Sequence, residues 1–312
     1  MISNSSPLQH NWQCFDAFSN ASKTSSHYTV ILAISVFLGL LAPMTVIGNA
    51  FILAAIWKNS SLRTPSHVLL AGLAVTDFFT GLLTQPVYIL NNWSEVTGNR
   101  KISYITAAAE ISLGYYFSSL TGFVVTITAV ERWLYISRRS VLTVRQVVIF
   151  YVTYALFLIP LVVGISTTWF LWPAVFIKLM YCYVSCAAFC IFVTAFAYFK
   201  VFQIIHHHQK QVQTNASAFD MRKYRKSICT ILFILAIFVL SYLPFLCWQF
   251  AANILHNSES SYIESVKNVC MALMFSSSLI NPLLYCWRIK EIRDSVRSII
   301  RKIFCKQNVE ES

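Results

Sequence analysis

Residues 128–139 read TAVERWLYISRR. A charged pair, Glu131–Arg132, closes a long apolar run, and Arg138 and Arg139 follow at once. Charges at the edge of an apolar segment are expensive unless they serve a purpose. What that purpose is depends on where a membrane would lie.

The 312-residue chain is 57% hydrophobic and only 12% charged, with a mean hydropathy of +0.61. Soluble domains average about 25% charged residues. Seven apolar runs can be counted outward from the opening stretch, at about 28–57, 64–90, 103–136, 144–168, 174–204, 227–255 and 263–287. Each reaches the roughly 20 residues that cross a bilayer as a helix. The third and fifth extend well beyond that thickness. Lipid cannot satisfy an open backbone, and the runs lack the alternation of barrel strands, so helix is the expected state. The fold class is therefore an all-α membrane protein, a seven-transmembrane helix bundle over 28–288. Residues 1–27 are polar without an apolar signal core and read as an extracellular N-terminal tail, the first span serving as its own signal.

Lysine and arginine set the expected orientation. Five (Lys23, Arg100, Lys101, Lys178 and Lys267) fall on the N-terminal side of the membrane, against nineteen on the other. The positive-inside rule then puts the N-terminus outside and the C-terminus in the cytoplasm. The net charge of +12 belongs to a basic cytosolic face and needs no nucleic acid to explain it. Asn-X-Ser sequons at Asn4 and Asn20 are expected to be glycosylated. Asn92 heads a third but sits close to the bilayer, and Asn59 and Asn215 face the cytosol. Most of the nine cysteines lie inside spans and read as small packing residues. Cys14 lies outside, with Cys270 as its nearest candidate partner. Cys305, on a basic juxtamembrane segment, suits S-palmitoylation.

Ionisable residues at membrane depth are few. Asp77 lies fourteen residues past Arg63, about 20 Å into its helix. It should face the bundle interior, among Asn49, Thr121, Ser278 and Asn281. Such a ring of oxygens would hold a small cation such as Na⁺, or let the carboxyl keep its proton; a polar network that only pins the helices is the alternative. The third span carries a stripe of Glu110, Gly114, Ser118, Thr121, Val125, Thr128 and Arg132, in steps of three and four that keep one helical face. Matching stripes run through Phe238, Tyr242, Phe245, Gln249 and Asn253 on the sixth span. On the seventh they run through Lys267, Met271, Met274, Ser278, Asn281 and Tyr285. Pro244 and Pro282 interrupt those two helices, and a pair of hinges there favours movement over static bends.

These residues resemble the rhodopsin-like (class A) G-protein-coupled receptors across all seven spans. The carriers are Gly48–Asn49, LAVTD ending at Asp77, ERW at 131–133, YLP at 242–244 and NPLLY at 281–285. The stretch WRIKEIRDSVRSIIRKIF that follows is similar to the family's short amphipathic eighth helix, which makes 289–312 helix 8 plus a cytoplasmic tail. The resemblance implies a switch: Arg132 held by Glu131 when the receptor is off, then turned toward Tyr198 and Tyr285 as the sixth helix swings out at Pro244, with Asn281 and Pro282 part of the same mechanism. The opened cleft accepts a heterotrimeric G protein. Departures are clear. Ala107 stands where a cysteine usually caps the third helix, the segment at Trp169–Pro173 is very short, and Cys190 replaces the fifth-span proline. No acid occupies 222–225, which removes a second clamp on Arg132. These departures resemble the melanocortin receptors and the NPLLYCWRIKEIR tail is similar to adenosine receptors, so the chain sits near the melanocortin–adenosine–cannabinoid group.

Of these receptors' ligand residues only the adenosine-receptor amide could transfer, at Gln249; the adenosine His would fall at Phe275. The amine-binding acid of aminergic receptors would fall at Gly114, and the melanocortin acids at Val87, Ala107 and Ile111. The expected pocket comprises Glu110, Gly114, Ser118, Tyr242, Phe245, Gln249, Lys267, Met271 and Phe275, with Glu110 and Lys267 as charged anchors. The acid suggests a cationic or peptide ligand, the aromatic and Met lining a lipid or small aromatic one, and both stay open. A retinal protein needs Lys at position 275, which is Phe. An enzyme would need paired acids or histidines at depth, and Asp77 has no carboxylate at its level. A seven-helix transporter or channel would show repeated halves and several midplane charges. The expected protein is a receptor in the plasma membrane, in contact with lipid, with no organic cofactor.

Overall fold

The computed structural model describes residues 25–137, 142–212, 233, 236–251 and 261–310. Regular structure among them is all helical. In chain order the helices are α1 (Ser25–Lys58), α2 (Pro65–Val96), α3 (Arg100–Ile136), α4 (Val144–Leu171), α5 (Pro173–Val212), α6 (described over Ala236–Ala251), α7 (Ser261–Arg288) and α8 (Lys290–Glu310). Six of them are long and apolar enough to cross a membrane, and α6 supplies a shorter apolar stretch. Their order follows the seven apolar runs. The second run was expected to end near residue 90, but α2 continues to Val96. Its last turn is polar yet buried against neighbours, with Asn92 3% and Ser94 2% exposed, and neighbour contacts of that kind do not register in hydropathy.

Local chemistry sets the helix ends. Thr64 caps α2 by accepting from the His67 amide, with Pro65 at the first helical position, where its missing N–H is not needed. Asn99 caps α3 through the Ile102 amide at 3.2 Å. Thr143 and Gln146 form a reciprocal capping box at the start of α4. Gly98, at φ 68°, makes the left-handed turn that ends α2. Trp172 alone separates α4 from α5, in keeping with the short segment read there.

The outer surface of the bundle is apolar, unlike that of a soluble protein. Leu40, Phe189, Phe192 and Leu240 are 65% to 71% exposed on its outer surface, as lipid-facing residues must be. The interior mixes apolar and polar groups. α1 packs on α7 and α2, while α3 is central, touching α2, α4 and α5. The largest apolar cluster joins Ile52, Leu73, Val124, Phe238 and Tyr285 to Ile292 and Val296 of α8. Ser295 Oγ also donates to the Ala55 carbonyl at 3.3 Å. Thus α8 is docked on α1 by one apolar face.

Within α2, residues Thr80–Thr84 form a π-helical turn. Its buried positions Ser66, Leu70, Leu73, Asp77, Gly81, Gln85, Tyr88 and Asn92 include two successive four-residue steps between Asp77 and Gln85. That lengthening absorbs the extra residue of a π-bulge and keeps both halves of α2 turned inward.

Candidate functional site

Asp77 is 2% exposed and accepts a hydrogen bond from Asn281 Nδ2 at 2.8 Å. Asn49 donates through Nδ2 to the Thr45 carbonyl at 2.9 Å and to the Ser278 carbonyl at 3.1 Å. Polar side chains thus tie α1 and α2 to α7 across the middle of the bundle. Asn49 Oδ1 is buried without a hydrogen-bond partner, an uncommon state for a polar atom. It, the Asp77 carboxylate and the Ser278 hydroxyl are hard oxygen donors of the kind an alkali cation takes. Thr121, expected in the same ring, donates instead to the Thr76 hydroxyl at 3.4 Å.

At the Arg132 end, Glu131 is 3% exposed. Arg132 Nε lies 3.5 Å from Glu131 Oε2. Ser66 Oγ reaches both carboxylate oxygens, at 3.1 and 3.2 Å. Ser66 sits in the first turn of α2 because Thr64 and Pro65 start the helix there. Tyr198 packs with Ala129 and Ala197, with Val130 and Trp133 alongside. Tyr285 is fully buried and its hydroxyl has no partner. Pro282 lies inside α7, and a Cβ on Gly48 would stand 3.1 Å from its Cγ. Glycine is what lets α1 close on α7 at the proline.

In the opposite half, Glu110 accepts from Asn91 Nδ2 at 2.7 Å, and Asn91 Oδ1 accepts from Thr106 at 3.0 Å. Lys267 pairs with Glu264 at 3.7 Å and has Glu110 as a further charged neighbour. Between this half and Asp77 lies a small cavity, with room for about one water, lined by Gly114, Ser118, Tyr242 and Phe275, together with Thr80, Thr84, Phe117, Met274 and Ser278. Ser118 Oγ also meets the Tyr183 hydroxyl at 2.7 Å, and Phe275 packs edge-on against Tyr88 at 5.5 Å. Met271 is buried with Leu38, Leu41 and Tyr88, and Phe245 packs at the margin of that cluster. Phe245 also stacks on Trp248 at 5.8 Å. Gln249 is half-buried on α6. The nine expected pocket residues therefore divide into four that line the cavity, the two charged residues Glu110 and Lys267, two packing residues and Gln249.

Asn4, Asn20 and Cys14 lie outside the described residues. Cys270 is a buried free thiol, and Cys305 lies in α8. Asn92 is buried and donates to Ser35 at 3.3 Å, so its sequon is closed off.

Several groups went unread in the sequence: Ser66, Asn91 and Tyr183, the Tyr88 hydroxyl that donates to Asn268 Oδ1, and Gln85. Gln85 is fully buried and both polar atoms of its side chain lack a hydrogen-bond partner. A glutamine inside an apolar run was the available signal.

The order of helices and the polar residues at their contacts define a seven-helix membrane bundle. The chain belongs to the 7 transmembrane receptor (rhodopsin family), whose family model matches residues 48–285. It is a G-protein-coupled receptor and a multi-pass membrane protein, and the transporter or channel alternative is set aside. Its relatives include melanocortin receptor 5 of Homo sapiens, 24% identical over 296 residues, which covers 89% of this chain and 87% of the relative. The Mus musculus melanocortin receptor 5 is 23% identical over 286 residues, 86% and 84% of the two chains. The 5-hydroxytryptamine receptor 1B of Vulpes vulpes is 40% identical over a 60-residue stretch, 19% of this chain and 15% of the relative.

Proposed function

We propose that the receptor binds an extracellular ligand in the Glu110 half of the bundle and activates a heterotrimeric G protein at the Arg132 end. In this reading the N-terminus lies outside and the C-terminus inside, and the protein works in the plasma membrane. The observation that carries it is the buried Ser66–Glu131–Arg132 group at one end, linked through the α2–α7 contact of Asp77 and Asn281 to a cavity toward the other. A carboxylate held by a serine hydroxyl and one loose ion contact can release Arg132 at modest cost. A ligand that favours the released arrangement shifts the population. Arg132 turns from Glu131 toward Tyr198 and Tyr285, and the unpartnered Tyr285 hydroxyl is ready to accept it.

The ligand carries an apolar or aromatic body, for which the Tyr242 and Phe275 walls must part, and a polar or cationic group for Glu110. Lys267 balances that acid when the site is free. A peptide side chain, a lipid or a small aromatic molecule satisfies this description. The relatives are melanocortin and 5-hydroxytryptamine receptors, and at the positions of the expected amine and peptide anchors this chain has Gly114, Val87, Ala107 and Ile111. Na⁺ is held near Asp77 by Asn49 Oδ1 and Ser278, and biases the resting arrangement. Asn4 and Asn20 carry glycans, and Cys305 an acyl chain that seats α8 on the membrane.

The test is nucleotide exchange on purified heterotrimeric G proteins. The receptor should promote exchange, and Arg132→Ala should abolish or strongly reduce it. Exchange that is absent in the wild type, or unaffected by Arg132→Ala, would overturn the reading.

A further inference from the structure

Away from the switch and the cavity, three helix ends bring together a histidine and two carboxylates. His27 is in the first turns of α1, Glu95 in the last turn of α2 and Glu264 in the first turn of α7. Their ligand atoms all lie within 4.8 Å of one another. We propose that His27, Glu95 and Glu264 form a divalent transition-metal site, of the kind that takes Zn²⁺, which staples α1, α2 and α7 together at the Glu110 end.

The chemistry of the donors selects the metal. One imidazole nitrogen and two carboxylates, with a fourth position for water, is a three-ligand zinc set. Calcium and magnesium prefer oxygens alone, and Ca²⁺ wants six or more of them. The histidine is positioned as metal-bound histidines are. Its side chain is 1% exposed, its Nδ1 is 3.1 Å from Ser265 Oγ, and its Nε2 points at Glu95 Oε1 at 3.2 Å. A hydrogen bond on one ring nitrogen fixes the ring and directs the other toward the metal. Zinc bonds of roughly 2.0–2.1 Å put tetrahedral ligands about 3.3 Å apart. The His27–Glu95 edge already has that length. Glu264, the more exposed acid at 36% of its side chain against 17% for Glu95, closes the remaining gap by a rotamer change. The charge balance agrees. Two acids face one imidazole, and Lys267 is bound only loosely to Glu264 at 3.7 Å. A metal that takes Glu264 releases Lys267 toward Glu110, its other acidic neighbour. This last link alone rests on the ligand reading given above; the metal site does not.

The alternative is a metal-free cluster in which His27 Nε2–H donates to Glu95 and Ser265 donates to Nδ1. Thermal unfolding of the purified full-length receptor, titrated with zinc, calcium or magnesium chloride, separates the two. Zinc should raise the midpoint saturably and the other two salts should not. His27→Ala and Glu264→Gln should each weaken the apparent zinc affinity by at least about tenfold, and Ser265→Ala by about 10–100-fold. Alanine at all of His206–His208, the other histidine cluster, should leave the zinc response intact. Glu264→Gln carries the decision where His27→Ala does not fold. Zinc-edge X-ray absorption of the loaded receptor should show one imidazole and otherwise oxygen. No zinc shift overturns the proposal, as does a shift that survives Glu264→Gln, one lost in the His206–His208 variant, an equal response to calcium, or sulfur in the zinc shell.

Discussion

Glu131 illustrates what single residues contribute. Its carboxylate is divided between an arginine on its own helix and a serine on another, and Ser66 is the cheaper half to remove. An interhelical hydrogen bond in a membrane protein is worth about 0.6 kcal/mol on average. Losing it should shift a two-state switch roughly threefold, since about 1.4 kcal/mol is tenfold. Ser66→Ala should therefore raise ligand-free nucleotide exchange about threefold without loss of folding, and exchange in reconstituted vesicles measures it. Asp77 gives a second expectation. Replacing sodium by potassium in the assay should change ligand-free exchange in the wild type and leave Asp77→Asn unchanged. Residues of this kind were legible because a charge in an apolar run stands out. Asp77, Glu131 and Glu110 could be named from spacing alone. Ser66, Asn91 and Tyr183 could not, because serine, asparagine and tyrosine are tolerated at many membrane depths. Which of them finds a partner depends on how a second helix is rotated, and no single run of sequence encodes that. Thr121 shows the converse: it shares a stripe with the ring around Asp77 but bonds to Thr76.

At the scale of elements, α1 is wedged between α2 and α7. A Cβ at Gly48 would meet Pro282 at 3.1 Å, and one at Gly81 would meet Thr45 and Val46 at the same distance. A bulky side chain there forces the helices apart. Gly48→Val should lower stability by about 1–3 kcal/mol, the usual range for overpacking, seen as a fall in the unfolding midpoint in detergent. Gly164→Val, which opens on free space, should leave that midpoint in place. The helices themselves were legible from hydropathy, and their starts from Thr64–Pro65, Asn99 and Thr143. The π-turn at Thr80–Thr84 was not. Its trace is a stretched spacing of inward positions, which becomes visible only when one knows which side of α2 is inward. The same ignorance hid the last turn of α2, where the polar side chains of Asn92 and Ser94 are buried.

For the whole molecule, the bundle and its family were legible from composition and five ordered landmarks. The division of the nine pocket candidates was not, since it rests on how α3, α6 and α7 are rotated relative to one another. The expected orientation has its own check: Asn4→Gln with Asn20→Gln should remove the glycosidase-sensitive mass of receptor made in mammalian cells, whereas Asn92→Gln should not. One connection has a kinetic meaning. With Trp172 as the whole bridge between α4 and α5, that link is too short to fold down over a ligand at the proposed site. Tightening the hold on a ligand must come from better contacts below the rim, since a longer-lived latch cannot be made from a single residue.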